Sequence, residues 1–154
     1  MVECMVKLLL GIWHQDEGGL VKYSSPNLSS KEANQLLDNV LFSANIYGNS
    51  TNKMDVAFTI PIMYLPVPYT HGRIFFKFRL MDINKITSDD PFDIDFSTSH
   101  NIQTIPISIF CSMPGLNETI DTSDIDKLVW EFLNSSLAEN DFNLLYHQIV
   151  INSY

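Results

Sequence analysis

The side chains best suited to chemistry in this sequence are His14, Asp16 and Glu17, neighbours in one expected turn, and His71 in another. Two imidazoles and two carboxylates could ligate a metal, and an imidazole beside a carboxylate is an acid–base pair. Their spacing matches no metal motif, and turns distant in sequence need not meet in space. The competing reading is a pair of solvated turns. A second concentration of oxygen ligands is Asp89-Asp90-Pro91-Phe92-Asp93-Ile94-Asp95, which lacks the glycine and terminal glutamate of a calcium loop and suits a basic partner surface better. The two cysteines, Cys4 and Cys111, are too few for a zinc site or a disulfide framework. Cys111 lies in an apolar run, where burial raises a thiol's pKa and lowers its reactivity. No Gly-x-Ser-x-Gly elbow, Gly-Lys-Ser/Thr phosphate loop or dinucleotide fingerprint occurs. Gly18-Gly19 falls between strands, without the helix N-terminus that binds phosphate. These residues imply no cofactor, and the expectation is a protein that is not an enzyme.

Composition narrows the partners. Eighteen acidic and nine basic side chains give a net charge of −9 over 154 residues. A nucleic acid or an anionic membrane is repelled by such a field unless a basic patch overcomes it, and Lys77 and Arg79 alternate with Phe76, Phe78 and Leu80 as a strand's polar face does. The 45% apolar content, with ten Phe, six Tyr and two Trp, is that of a folded domain. No apolar stretch reaches the ~18 residues of a membrane-spanning helix, so direct membrane insertion is not expected. The opening residues lack the basic region and small-residue cleavage site of a signal peptide. Asn-X-Ser/Thr triplets at Asn27, Asn49, Asn117 and Asn134 therefore read as chance, and the expected compartment is the cytoplasm.

The elements that must position these groups follow from periodicity. Val6 to Trp13 and Leu20 to Tyr23 read as a hairpin whose turn contains Gly18-Gly19. Ser29 and Glu32 have the spacing of a capping box. Ala33, Leu36, Leu37, Val40, Leu41 and Ala44 then recur as one helical stripe, predicting an amphipathic helix that ends near Gly48. Val56 to Leu65 and Ile74 to Met81 alternate as strands, joined by a turn at Tyr69-Thr70-His71-Gly72. Pro61, Pro66 and Pro68 make the earlier one an edge strand, because proline cannot donate to a ladder. Asn84 to Thr104 reads as a long polar loop. Ile105 to Cys111 reads as a buried strand, with Pro106 at its start. Asp121-Thr122-Ser123-Asp124 offers a cap and anions for a helix striped by Ile125, Leu128, Val129, Phe132 and Leu133. A last helix carries Phe142, Leu145, Tyr146, Ile149 and Val150.

The expected fold is α+β, one domain over residues 1–154 with a mixed, mainly antiparallel five-stranded sheet and the order β-β-α-β-β-β-α-α. That order, and the opening Lys7-Leu8-Leu9-Leu10-Gly11-Ile12-Trp13 to Gly18-Gly19-Leu20-Val21-Lys22-Tyr23-Ser24, resemble the longin domain superfamily, with its relatives the roadblock modules. The polar segment from Asn84 to Thr104 departs from the pattern in being longer than a tight hairpin needs. The resemblance implies a non-catalytic scaffold in trafficking or tethering complexes, or a regulator of small GTPases. Its partner would be a small GTPase, a second longin or roadblock subunit, or a second copy in a homodimer. Candidate partner-binding residues are Glu32, Gln35 and Asn39 on the first helix, Tyr64 and Tyr69 around the edge strand, and Asp93 and Asp95 in the acidic segment. The alternatives are a small-molecule or metal site built on His14, Asp16, Glu17 and His71, and a profilin-like actin-binding module, although a profilin-like chain opens with a helix.

Overall fold

A computed structural model of the chain describes residues 6–14, 18–47, 55–62, 70–82 and 102–153. The elements are β1 (Lys7–His14), β2 (Gly18–Ser24), α1 (Ser30–Tyr47), β3 (Val56–Ile62), β4 (Thr70–Asp82), β5 (Ile102–Ser112), α2 (Ser123–Leu133) and α3 (Glu139–Ser153), in the expected order. The strands form one sheet ordered β2-β1-β5-β4-β3, and all four pairings are antiparallel.

Because successive strand side chains point to opposite faces, the central strands are apolar on both. Leu9, Ile74, Phe76 and Phe110 pack with Ala33, Leu36, Leu37 and Val40 of α1 on one face. Leu8, Leu10, Ile12, Phe75, Ile107, Ile109 and Cys111 pack with the stripes of α2 and α3 on the other. The sheet thus lies between one helix and two. The side chains of Leu41 and Ala44, the last of the α1 stripe, lie outside the described set.

The predicted capping box is present. The Ser29 hydroxyl accepts the Glu32 amide N–H at 3.2 Å, and the Glu32 carboxylate accepts the Ser29 amide N–H at 3.4 Å. A helix entered this way loses about 1 kcal/mol when the capping hydroxyl is removed. Ser29→Ala is therefore expected to lower unfolding stability by about 1 kcal/mol in urea titration, with Ser29→Thr largely preserving it. At the start of α2, the Asp121 carboxylate accepts both the Ser123 hydroxyl and its amide N–H. Those two bonds hold its pKa below the usual carboxylate value.

Prolines sit where the ladder tolerates them. Pro61 lies in β3, the edge strand, opposite His71. Pro106 is inside β5, a central strand, but pairing with β1 ends at Ile107, so at Pro106 the strand is paired on the β4 side only. Three boundaries differ from expectation. Strand β2 begins at Gly18, so Gly18 and Gly19 stand in the ladder opposite His14 and Trp13 instead of in the hairpin turn, and His14 belongs to β1. Strand β4 begins at Thr70, so Gly72 stands in the ladder opposite Ile60 instead of in a turn. Strand β5 begins at Ile102, so three residues of the expected polar loop extend the β4–β5 ladder, with Ile102 facing Asp82 and Thr104 facing Leu80.

Candidate interaction surface

The register separates the residues proposed for chemistry. Leu8, Cys111 and Arg73 share one row across β1, β5 and β4, as do Ile12, Ile107 and Lys77. Extending these rows places His14 level with Arg79 and His71 eight residues away along β4, or about 26 Å at 3.3 Å per residue. The two histidines stand at opposite ends of the sheet and cannot share a ligand. Asp16 and Glu17 lie outside the described residues. Among the described residues, no three His, Cys, Asp or Glu side chains gather as metal ligands.

The cations of β4 are committed to structure. The Arg73 guanidinium donates to both carboxylate oxygens of Asp126, at 3.0 Å from Nε and 2.6 Å from Nη2, and to the Thr59 hydroxyl at 3.1 Å. Arg79 donates to the Ser135 carbonyl at 3.1 Å, and its partial burial lowers the guanidinium pKa. Lys77 pairs with Asp55 at 2.8 Å. The two arginines of the strand face that reads as polar in sequence therefore clamp it to the first turn of α2 and to the turn that follows that helix. The Arg73 and Asp126 side chains retain only 17% and 23% exposure, between the regimes of surface pairs worth less than 1 kcal/mol and buried ones costing 3–5 to break. Arg73→Met is expected to destabilise the protein by about 2 kcal/mol. Thermal unfolding of Arg73→Met, Asp126→Asn and the double variant should show strong coupling, and additive losses would contradict the clamp.

The thiol of Cys111 is fully buried, and its pKa is pushed up to about 12 by desolvation first and the Asp126 charge second. It is not a nucleophile in the folded state.

Both sheet edges carry devices that discourage strand addition. β3 has Pro61, and β2 has a bulge that leaves Lys22 between Leu10↔Tyr23 and Gly11↔Val21, with its ammonium 5.3 Å from the Tyr23 ring centroid. On α1, Gln35 is exposed and Asn39 half-buried, its amide donating to the Gln35 carbonyl at 2.9 Å, while the Glu32 carboxylate is engaged in the cap. This outer face is polar, with Lys31, Asn34 and Asp38 exposed beside Gln35. Tyr64, Tyr69, Asp93 and Asp95 lie outside the described residues.

On α3, by contrast, the inner stripe of Phe142, Leu145 and Ile149 is buried as predicted, while Leu144 and Ile151 stand 56% and 74% exposed on the outer side. They are seven residues apart, two turns on one face, with His147 exposed between them. Sequence reasoning omitted these two positions because they fall off the core stripe. The usable signal was that misfit: large aliphatic residues on a face the amphipathic pattern assigns to water.

No family model, curated protein or solved structure matches the chain.

Proposed function

We propose that this protein is a non-catalytic protein–protein interaction module of the longin-like kind, acting as a subunit or regulator in a cytoplasmic complex of the small-GTPase or membrane-trafficking type. The observation that carries the reading is the disposition of the reactive groups. His14 and His71 are held apart at opposite ends of the sheet, the arginines of β4 are spent on α2 and the turn that follows it, and the buried thiol is protonated, while large aliphatic side chains stand on the surface of α3. The longin-like part rests on element order and on the opening hairpin. Among the described residues no helix is long and apolar enough to cross a membrane, which suits recruitment through a partner.

The test is affinity capture from native lysate, with the solution mass of the recovered complex measured by light scattering. Stoichiometric recovery of a small GTPase, or of a second domain with the same element order, supports the reading. A monomer that captures neither and turns over a small molecule overturns it.

A further inference from the structure

The outer face of α3 has an apolar centre and acidic surroundings, which together specify an occupant. Asp141, Leu144, Gln148 and Ile151 follow one another at spacings of three and four, so an exposed carboxylate stands at the head of the aliphatic stripe. At its far end, the Ser153 hydroxyl meets Met113 Sδ at 3.5 Å, so the residue that follows β5 packs against the C-terminal turn of α3. Residues 113–153 contain seven acidic side chains and one basic one, Lys127, and so carry −6 of the chain's net −9. One of the seven, Asp126, is neutralised by Arg73. The remaining carboxylates and the negative end of the α3 dipole leave the stripe in a field of one sign.

On the reading of this protein as an interaction module, we propose that the Leu144–Ile151 face of α3 docks a basic amphipathic helix of another protein, its apolar side chains against Leu144 and Ile151 and its Lys or Arg side chains toward Asp141 and the acidic excess of residues 113–153. The periodicity favours a helix: the two aliphatic positions are a heptad apart, the repeat that a partner helix lying alongside matches. The charge excludes a second copy of this chain, because α3 has no Lys or Arg and self-pairing would bring acidic surfaces together.

The experiment uses the full chain and three labelled synthetic peptides of one helical length: Leu on one face with Lys elsewhere, the same Leu face with Glu elsewhere, and the Lys peptide with each Leu changed to Ser. Fluorescence anisotropy should show saturable binding of the Leu/Lys peptide alone. The Leu144→Ser/Ile151→Ser variant should bind at least about tenfold more weakly. Because both residues are exposed, its circular dichroism and melting should match wild type, and Lys31→Ser on α1 should bind as wild type does. Equal binding of the Leu-free Lys peptide, or binding indifferent to the α3 substitutions, overturns the proposal, as does a dimer in light scattering that the same substitutions dissolve. If the partner captured from lysate is retained by the Leu144→Ser/Ile151→Ser variant, docking on α3 fails while the interaction-module reading stands.

Discussion

Gly72→Ala is expected to destabilise the protein by at least about 3 kcal/mol, near the upper end of overpacking costs. A Cβ built on Gly72 overlaps Cε2 of Phe110 and stands 2.7 Å from Cζ. The Phe110 ring cannot retreat, because it is buried among Leu9, Leu36, Ile74 and Phe76 between the sheet and α1. An alanine also restricts the unfolded chain, which by itself favours folding by about 0.4–1 kcal/mol. The steric term is several-fold larger, so it sets the sign. For a domain of this size the loss corresponds to a fall in Tm of roughly 10 °C. Specificity comes from compensation. Phe110→Leu alone should cost stability by leaving a void, whereas Gly72→Ala combined with Phe110→Leu should lose clearly less than the two changes summed, because the smaller side chain frees the space the new methyl needs. Additive losses, or a Gly72→Ala protein as stable as wild type in urea titration, would contradict the packing of Phe110 over Gly72.

Gly72 also shows where the sequence ceases to be legible. A glycine after Thr70-His71 has the local chemistry of a turn. Only a residue nearly forty positions later, leaning across from β5, makes it a strand residue. The same holds for Ile102 to Thr104: Gln103 and Thr104 look like loop, and they are extended because β4 continues opposite them. Local information serves helices and edges better than turns: Gly18-Gly19, like Gly72, has turn chemistry but stands in a ladder. The α1 stripe, the Ser29–Glu32 box and the edge position of the Pro61 strand each follow from residues within a turn or two. So does the order of elements, and the antiparallel sheet then follows from the hairpins and from β5 inserting between β1 and β4.

The candidate site divides along the same line. His14 and His71 look equally available in sequence, and their separation becomes visible only once β1, β5 and β4 are set in rows. Arg73 and Arg79 lie at alternating positions that could face water or a helix, and only the placement of α2 decides between them. Leu144 and Ile151 sit within the helix the sequence predicts, but a search for one apolar stripe passes over a second. The second stripe emerges only when the aliphatic residues off the core face are set on the surface, where Leu144 and Ile151 stand exposed.

Alkaline destabilisation is the other large expected effect, and it tests the burial of β5 directly. The Cys111 thiol rises from an ordinary 9.0 to about 12 in the folded protein. The folded state thus keeps its proton to higher pH than the unfolded state does. Stability from this group is fully present below pH 9.0 and is lost as pH climbs from there toward 12. Within that window the loss is about 1.4 kcal/mol per pH unit, or about 3 kcal/mol by pH 11. Tyrosines and lysines also titrate there, so the informative quantity is the difference between Cys111→Ala and its parent, both carrying Cys4→Ser so that one thiol is in question. At neutral pH the alanine variant should be the less stable by about 1 kcal/mol, having lost a buried sulfur. Above pH 9 the gap should close and then reverse, because only the parent has a buried group that gains charge on unfolding. Parallel stability curves would mean that Cys111 is not sealed beneath α2. A crossing would establish that Cys111 keeps its proton in a dry core between β5 and the helices packed on that face of the sheet.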